Sequence, residues 1–281
     1  TPRNRPDASE VEYLAPGLAP VRRRDRPMPH AFPMMRYPWS RTEAALRRRG
    51  SSEAFRGAVA IGDQALDLAA LQGLGLLQGT AADALHLAAQ PTLNDFMAAG
   101  PQAWRALRHA LFALLAEGAT QQEAVRACLL PLADVEYALP ARIADYFWHL
   151  TLPMICYTSL DHALNCMRIM RPDADVTPNF RWLPQAYHGR ASTIGVSGQR
   201  FHRPRGQFLP PGASAPVFAP CAAMDYELEL GLWVGPGNAA GQPIAIHEAE
   251  QHLFGVCLLN DWSARDIQMW EMTPLGPFHA K

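Results

Sequence analysis

The ten residues from Asp225 to Val234 constrain the fold more than any other stretch: Tyr226, Leu228, Leu230 and Leu232 alternate with Glu227, Glu229, Gly231 and Trp233. A two-residue period is that of a β-strand, not of a helix. Gly235-Pro-Gly-Asn238 then marks a turn. Leu253 to Leu259 is a nearly continuous apolar run, the pattern of a strand covered on both faces, and it delivers Asn260-Asp261 at its end. With short Gly- and Pro-punctuated segments from Tyr157 onward, the second half predicts antiparallel or mixed β architecture with few helices.

The first half reads differently. Residues 1–54 are rich in Pro and Arg without a sustained period, which predicts an extended, poorly ordered arm. Ordered signals begin at Ala58 to Ile61 and Gln64 to Leu68, two short strands around Gly62-Asp63. Trp104, Leu107, Leu111, Leu114 and Leu115 form a helical stripe after Pro101, and Thr120 and Glu123 are spaced as a capping box for a further helix. Three segments are therefore expected: the arm at 1–54, a small α/β module at 55–140 and a β-rich unit at 141–281.

Charge and cysteine content narrow the function classes. Through Arg56 there are 12 Arg against 6 acids, and beyond it 13 basic residues against 20 acidic. An acidic body argues against nucleic-acid binding. Every basic residue but Lys281 is Arg. The five cysteines form no C-x-x-C pair, so reduced, mostly buried thiols in a cytoplasmic protein are expected. No apolar run approaches the roughly 20 residues of a membrane span, and the N-terminus lacks the apolar core of a secretory signal. Gly73-Leu-Gly75 lacks the third glycine of a dinucleotide fingerprint, no P-loop lysine is present, and Gly195-Val-Ser197-Gly198 is not a nucleophile elbow.

Three places carry candidate chemistry. Glu227 and Glu229, two apart on a strand, leave the same face; they are either a solvated face or two ligands for one hard cation. Asp261 follows so much apolar chain that it must be paired, cap a helix through Ala264 to Trp270, or bind a metal. Three carboxylates without neighbouring His or Cys spacing favour Mg²⁺ or Ca²⁺ over zinc. His162, a titratable group suited to general-base work, precedes Arg168 and Arg171; a bidentate Arg171 suits a substrate carboxylate, and both residues are equally compatible with a structural role.

Taken together, Tyr-His-Gly-Arg-Ala-Ser (187–192), Glu-Leu-Glu with Val-Gly-Pro-Gly-Asn (227–238), Asn-Asp-Trp-Ser-Ala-Arg-Asp-Ile-Gln (260–268) and Pro-Leu-Gly-Pro-Phe (274–278) resemble the fumarylacetoacetase family. The resemblance runs from about Phe55 to Lys281. It implies a mixed α/β, mostly β chain: a small SH3-like N-terminal domain, then a β-roll-type catalytic domain, incomplete here. It also implies metal-dependent hydrolysis of the carbon–carbon bond of 4-fumarylacetoacetate, a step of tyrosine and phenylalanine breakdown, by a cytoplasmic homodimer. Carried over by position, His162 becomes the base that activates water, and Glu227, Glu229 and Asp261 bind Mg²⁺ or Ca²⁺. Tyr157, Arg171 and Gln268 line the substrate, and Lys281 stands in the metal's neighbourhood.

Three departures accompany the resemblance. Ile155 occupies the position of a metal-binding aspartate, with an apolar insertion of roughly seven residues after Asp145-Tyr146; the family's substrate tyrosine is Met272; and the family pattern continues beyond Lys281, through a glutamate that orients the histidine and a threonine that binds substrate. Little hydrolase activity is therefore expected of these 281 residues alone. Two alternatives stand beside the family reaction: a non-catalytic relative, and an acylpyruvate-type diketo-acid hydrolase.

Overall fold

The computed structural model describes residues 10–11, 43–143, 146–149, 160–170, 173, 175–182, 187–273 and 276–280. An antiparallel sheet anchors the first domain. Its strands are β1 (Glu43–Arg48), β2 (Arg56–Ile61), β3 (Gln64–Asp67), β4 (Leu129–Pro131) and β5 (Val135–Ala138), in the order β4-β3-β2-β1-β5. Between β3 and β4 run helices α1 (Leu68–Gly73), α2 (Gly79–Ala88), α3 (Asn94–Ala98), α4 (Gly100–Leu115) and α5 (Gln122–Arg126). The expected hairpin is β2–β3, and the expected stripe is the buried face of α4, where Pro101 falls in the first turn and forfeits no intrahelical bond.

Asp67 joins strand to helix. Its Oδ1 accepts the Ala69 and Ala70 amides at 3.1 Å, capping α1, while Oδ2 accepts Arg56 Nε at 2.7 Å. Burial works against the Arg56 charge, but the hydrogen bonds and attraction of Asp67 and Glu53 outweigh it and hold its pKa above the ordinary arginine value.

Two expectations are corrected here. The arm was expected to reach residue 54, yet β1 lies inside the sheet, with Ala45 and Leu46 buried. The Arg47-Arg48-Arg49 run resembles a solvated tail in sequence. In the fold Arg47 lies over the Phe55 ring at 4.4 Å and pairs with Glu136, so its charge is satisfied at the sheet surface. Glu10–Val11 also pairs with Phe201–His202. The capping box does not form either: α5 begins after Gln121, which makes no side-chain cap, and a turn from Gln122 N to Ala119 O leads in.

The second half contributes β6 (Tyr146–His149), helix α6 (Leu160–Met170), β7 (Tyr187–Arg190), β8 (Arg205–Phe208), β9 (Val217–Pro220), β10 (Met224–Val234), β11 (Leu253–Ala264) and α7 (Arg265–Glu271). All pair antiparallel, β6 with β7, β8 with β9, β10 with β11. Phe254, near the start of β11, is buried in the core of the first domain, edge-on to Phe96 and Trp104 with centroids 5.8 and 5.1 Å away. At Gly235 a Cβ would lie 2.6 Å from the Trp104 ring, so the turn after β10 demands glycine for close approach. The long ribbon is thereby fixed at one end to the first domain.

The ribbon's faces are the reverse of the usual arrangement. Tyr226, Leu228, Leu230 and Leu232 are exposed, Leu228 by 74%, and so are Val256 and Leu258 on β11. Glu227, Glu229, Gly231 and Trp233 are half-buried. The expectation that Leu253 to Leu259 is covered on both faces fails at Val256 and Leu258, because among the described residues no element packs over that side. No helix among the described residues is long and apolar enough to cross a membrane.

Candidate metal centre

The antiparallel register of β10 and β11 places Glu227 directly opposite Asp261, with Glu229 opposite Leu259. Cross-strand partners carry Cβ atoms roughly 5 Å apart, and Glu229 follows on the same face by the two-residue period. One carboxylate oxygen from each of Glu227, Glu229 and Asp261 lies within 4.8 Å of the others. Asp261 is buried, and the two glutamates are half-buried. Asp261 does not cap a helix: Ala264 is the N-cap of α7, and Asp261 lies within the strand.

Arg265 organises this cluster. Its Nη1 donates to Glu227 Oε1 at 2.6 Å and to Gln268 Oε1 at 3.0 Å, and its Nε donates to Asp225 Oδ2 at 2.9 Å. Burial disfavours the Arg265 charge, but the hydrogen bond and attraction of Glu227, then of Asp225, prevail and hold its pKa above the ordinary value. Gln268 is fully buried one turn into α7, with its Nε2 sealed from solvent and no acceptor among the described residues. Arg265 was part of a sequence motif without an assigned role; its position at the start of α7, after the strand that carries Asp261 and three residues before Gln268, is the signal that marks it. An oxygen-only donor set of this kind suits a hard divalent cation.

The ends of the ribbon are held by Asp266. Its Oδ2 accepts the Ala222 amide at 2.7 Å, and its Oδ1 accepts the Ile267 amide at 3.0 Å. Burial opposes its charge, yet the Cys221 thiol and the amides of Ala222, Ile267 and Ala223 keep its pKa below the usual aspartate range. In turn, burial first and the neighbouring Asp266 second push the Cys221 thiol up to about 11, so it stays protonated and inert. The four described cysteines, Cys128, Cys166, Cys221 and Cys257, are free thiols.

The sequence candidates separate into three groups. Glu227, Glu229 and Asp261 come together, and Gln268 joins them through Arg265. His162 sits exposed on α6, with Cys166 Sγ 3.8 Å from its Nε2, and is not a member of the acidic cluster. Tyr157, Arg171 and Lys281, like Asp145 and Ile155, lie outside the described residues. Met272 follows the last residue of α7 and is half-buried.

Comparison with known proteins gives consistent matches. The family model for the fumarylacetoacetase N-terminal domain matches residues 45–140, and that for the fumarylacetoacetate hydrolase C-terminal domain matches residues 155–281. Among relatives, the fumarylacetoacetase of Oryza sativa subsp. japonica is 45% identical over 89% of this chain and 57% of its own length. That of Arabidopsis thaliana is 43% identical over 82% and 54%, and that of Homo sapiens 42% identical over 79% and 52%. The chain thus spans little more than half the length of the curated relatives it matches.

Proposed function

The chain belongs to the fumarylacetoacetase family, and from that premise we propose that its protein hydrolyses the carbon–carbon bond of 4-fumarylacetoacetate to fumarate and acetoacetate, in tyrosine and phenylalanine breakdown. The observation that carries the proposal is the convergence of Glu227, Glu229 and Asp261 on one face of the β10/β11 ribbon. On this reading those three residues hold a divalent cation, Mg²⁺ or Ca²⁺. Such a cation supplies Lewis acidity toward a 1,3-dicarbonyl.

The chain's own residues then have separate tasks. His162 accepts the proton of the attacking water. Arg171 neutralises the substrate carboxylate, and Tyr157 and Gln268 orient the diketone, turning binding energy into alignment. Arg265 pairs with Glu227 and holds the Gln268 carbonyl, leaving the amide nitrogen to donate. The protein works, on the same proposal, as a cytoplasmic homodimer; reduced thiols such as Cys221 are in keeping with that compartment.

Loss of the diketone absorbance, followed with Mg²⁺ or Ca²⁺ present, tests the assignment. Turnover that disappears in Glu229→Gln supports it. With Ile155 at a ligand position and Met272 in place of a hydroxyl donor, the 281-residue chain is expected to turn over far more slowly than its relatives. Preference for an acylpyruvate over fumarylacetoacetate would overturn the substrate assignment.

A further inference from the structure

Helix α7 has only seven residues, too few to hold a position without tertiary tethers. Its N-terminal end has them. The Ala264 amide donates to Ala280 O at 2.8 Å, the Arg265 amide donates to Ala223 O at 2.9 Å, and Asp266 Oδ2 accepts the Ala222 amide at 2.7 Å. At the other end Glu271, the last residue of the helix, accepts three consecutive backbone amides on a single oxygen: Oε1 lies 2.7 Å from Phe278 N, 2.7 Å from His279 N and 2.8 Å from Ala280 N. Successive amides turned toward one point form an anion-binding concavity, here filled by the protein's own side chain.

Gln268 lies between the two sets of tethers, three residues after Arg265 and three before Glu271, the spacing at which helical neighbours share a side. It is wholly buried, and its Oε1 accepts Arg265 Nη1 at 3.0 Å; that same nitrogen donates to Glu227 Oε1 at 2.6 Å. The 278–280 tract is itself held. Arg190 donates from Nη1 to Phe278 O at 2.6 Å, and Ala280 is buried in one apolar cluster with Phe208, Cys221, Ala264 and Ile267. Arg190, Ala264 and Phe278 belong to three separate strings of the family resemblance, and they meet on this one clamp.

We propose that Glu271 is a positioning residue for the reaction: by binding the 278–280 amides it fixes the C-terminal end of α7, and with it where the Gln268 carboxamide stands relative to the Glu227, Glu229 and Asp261 carboxylates. The inference rests on the proposed function, in which Gln268 orients the diketone. Glu271→Ala leaves three amides without their acceptor and releases the end of the helix. Glu271→Gln keeps one carbonyl oxygen and so part of the clamp. Glu271 itself has no need to touch substrate.

The Gln268 side-chain amide, assigned in NMR spectra by its disappearance in Gln268→Glu, reports this placement. Wild type, Glu271→Ala, Glu271→Gln, Arg190→Ala and His279→Ala are compared with and without Mg²⁺, and thermal unfolding and calorimetric Mg²⁺ uptake are recorded for each. In wild type the sealed Nε2 protons should exchange slowly, and Mg²⁺ should shift their signal through the Arg265 link to Glu227. In Glu271→Ala they exchange about tenfold faster or more and the Mg²⁺ shift is lost, while Mg²⁺ uptake is retained. Glu271→Gln and Arg190→Ala should fall between, and Glu271→Gln serves if the alanine variant does not fold; His279→Ala, which keeps its backbone amide, should match wild type. In the hydrolysis assay Glu271→Ala should lower kcat about tenfold, and no further in a Gln268→Ala background. A lower unfolding temperature with Gln268 exchange and Mg²⁺ shift unchanged overturns the proposal, as does a further loss of kcat in that background. Failure of the underlying cation site shows separately, as absence of Mg²⁺ uptake by the wild type, and the Nε2 exchange rates then decide the positioning role alone.

Discussion

The first domain and the β10/β11 ribbon are both antiparallel β structures with alternating side chains, yet they bury opposite kinds of surface. In the first domain Leu66, Leu71, Phe96 and Leu107 are sealed in a shared core, and its buried acid Asp67 is engaged by Arg56 and the first amides of α1. In the ribbon the carboxylates turn inward and the leucines lie bare. Alternation specifies that two faces differ; which one is covered depends on what packs there. A face of acids becomes worth enclosing when it has a cation to hold, and the ribbon's position is secured elsewhere, through Phe254, Arg265 and Asp266.

The sharpest way to break this comparison is at Phe254, the ribbon residue buried in the core of the first domain. Phe254→Ala should destabilise the chain by about 4 kcal/mol, the range for emptying a buried aromatic site, and should shift thermal unfolding of the first domain although the substitution lies in the ribbon. Within the first domain alone, Leu107→Ala should cost about 3 kcal/mol in a urea titration, since its side chain is wholly enclosed.

A smaller effect separates the regions by pH. The Asp266 pKa is depressed in the folded chain, so its carboxylate contributes stability at neutral pH that is lost as the pH falls below the ordinary aspartate value of about 4 toward the folded one. Urea midpoints measured from neutral to acid pH should therefore decline in wild type and decline less in Asp266→Asn, which is already weakened at neutral pH. The smallest effect is expected on the ribbon's bare side. Leu258→Thr should change stability by about 0.5 kcal/mol or less, while reducing self-association measured by light scattering, because it removes exposed apolar surface. If it instead costs as much as Leu107→Ala, that face is covered.

Much of this was legible from residues alone. The alternation at Tyr226 to Trp233 gave the strand, Gly62-Asp63 the hairpin, and Trp104 to Leu114 the helix. The acidic cluster was legible in membership, because two glutamates share a face by period. Its register was not: β10 and β11 are joined through residues 235–252, too long for a turn type to set the pairing, so Glu227 opposite Asp261 emerges only in three dimensions. β1 was hidden because three consecutive arginines look like solvated tail until Glu136 and Phe55 engage Arg47, Glu53 pairs with Arg48 and the Val135 carbonyl accepts from Arg49. Arg265 and Glu271 were hidden because their partners are backbone amides and distant carboxylates, which leave no local pattern.

On the proposed function, the three carboxylates on the inward face of the ribbon grip a divalent cation. Isothermal titration of Mg²⁺ and Ca²⁺ into the folded chain, repeated on the Glu227→Gln, Glu229→Gln, Asp261→Asn triple variant, tests it most directly. One saturable site is expected in the wild type and none in the variant. Equal uptake by both, or no uptake by a well-folded wild type, would contradict it.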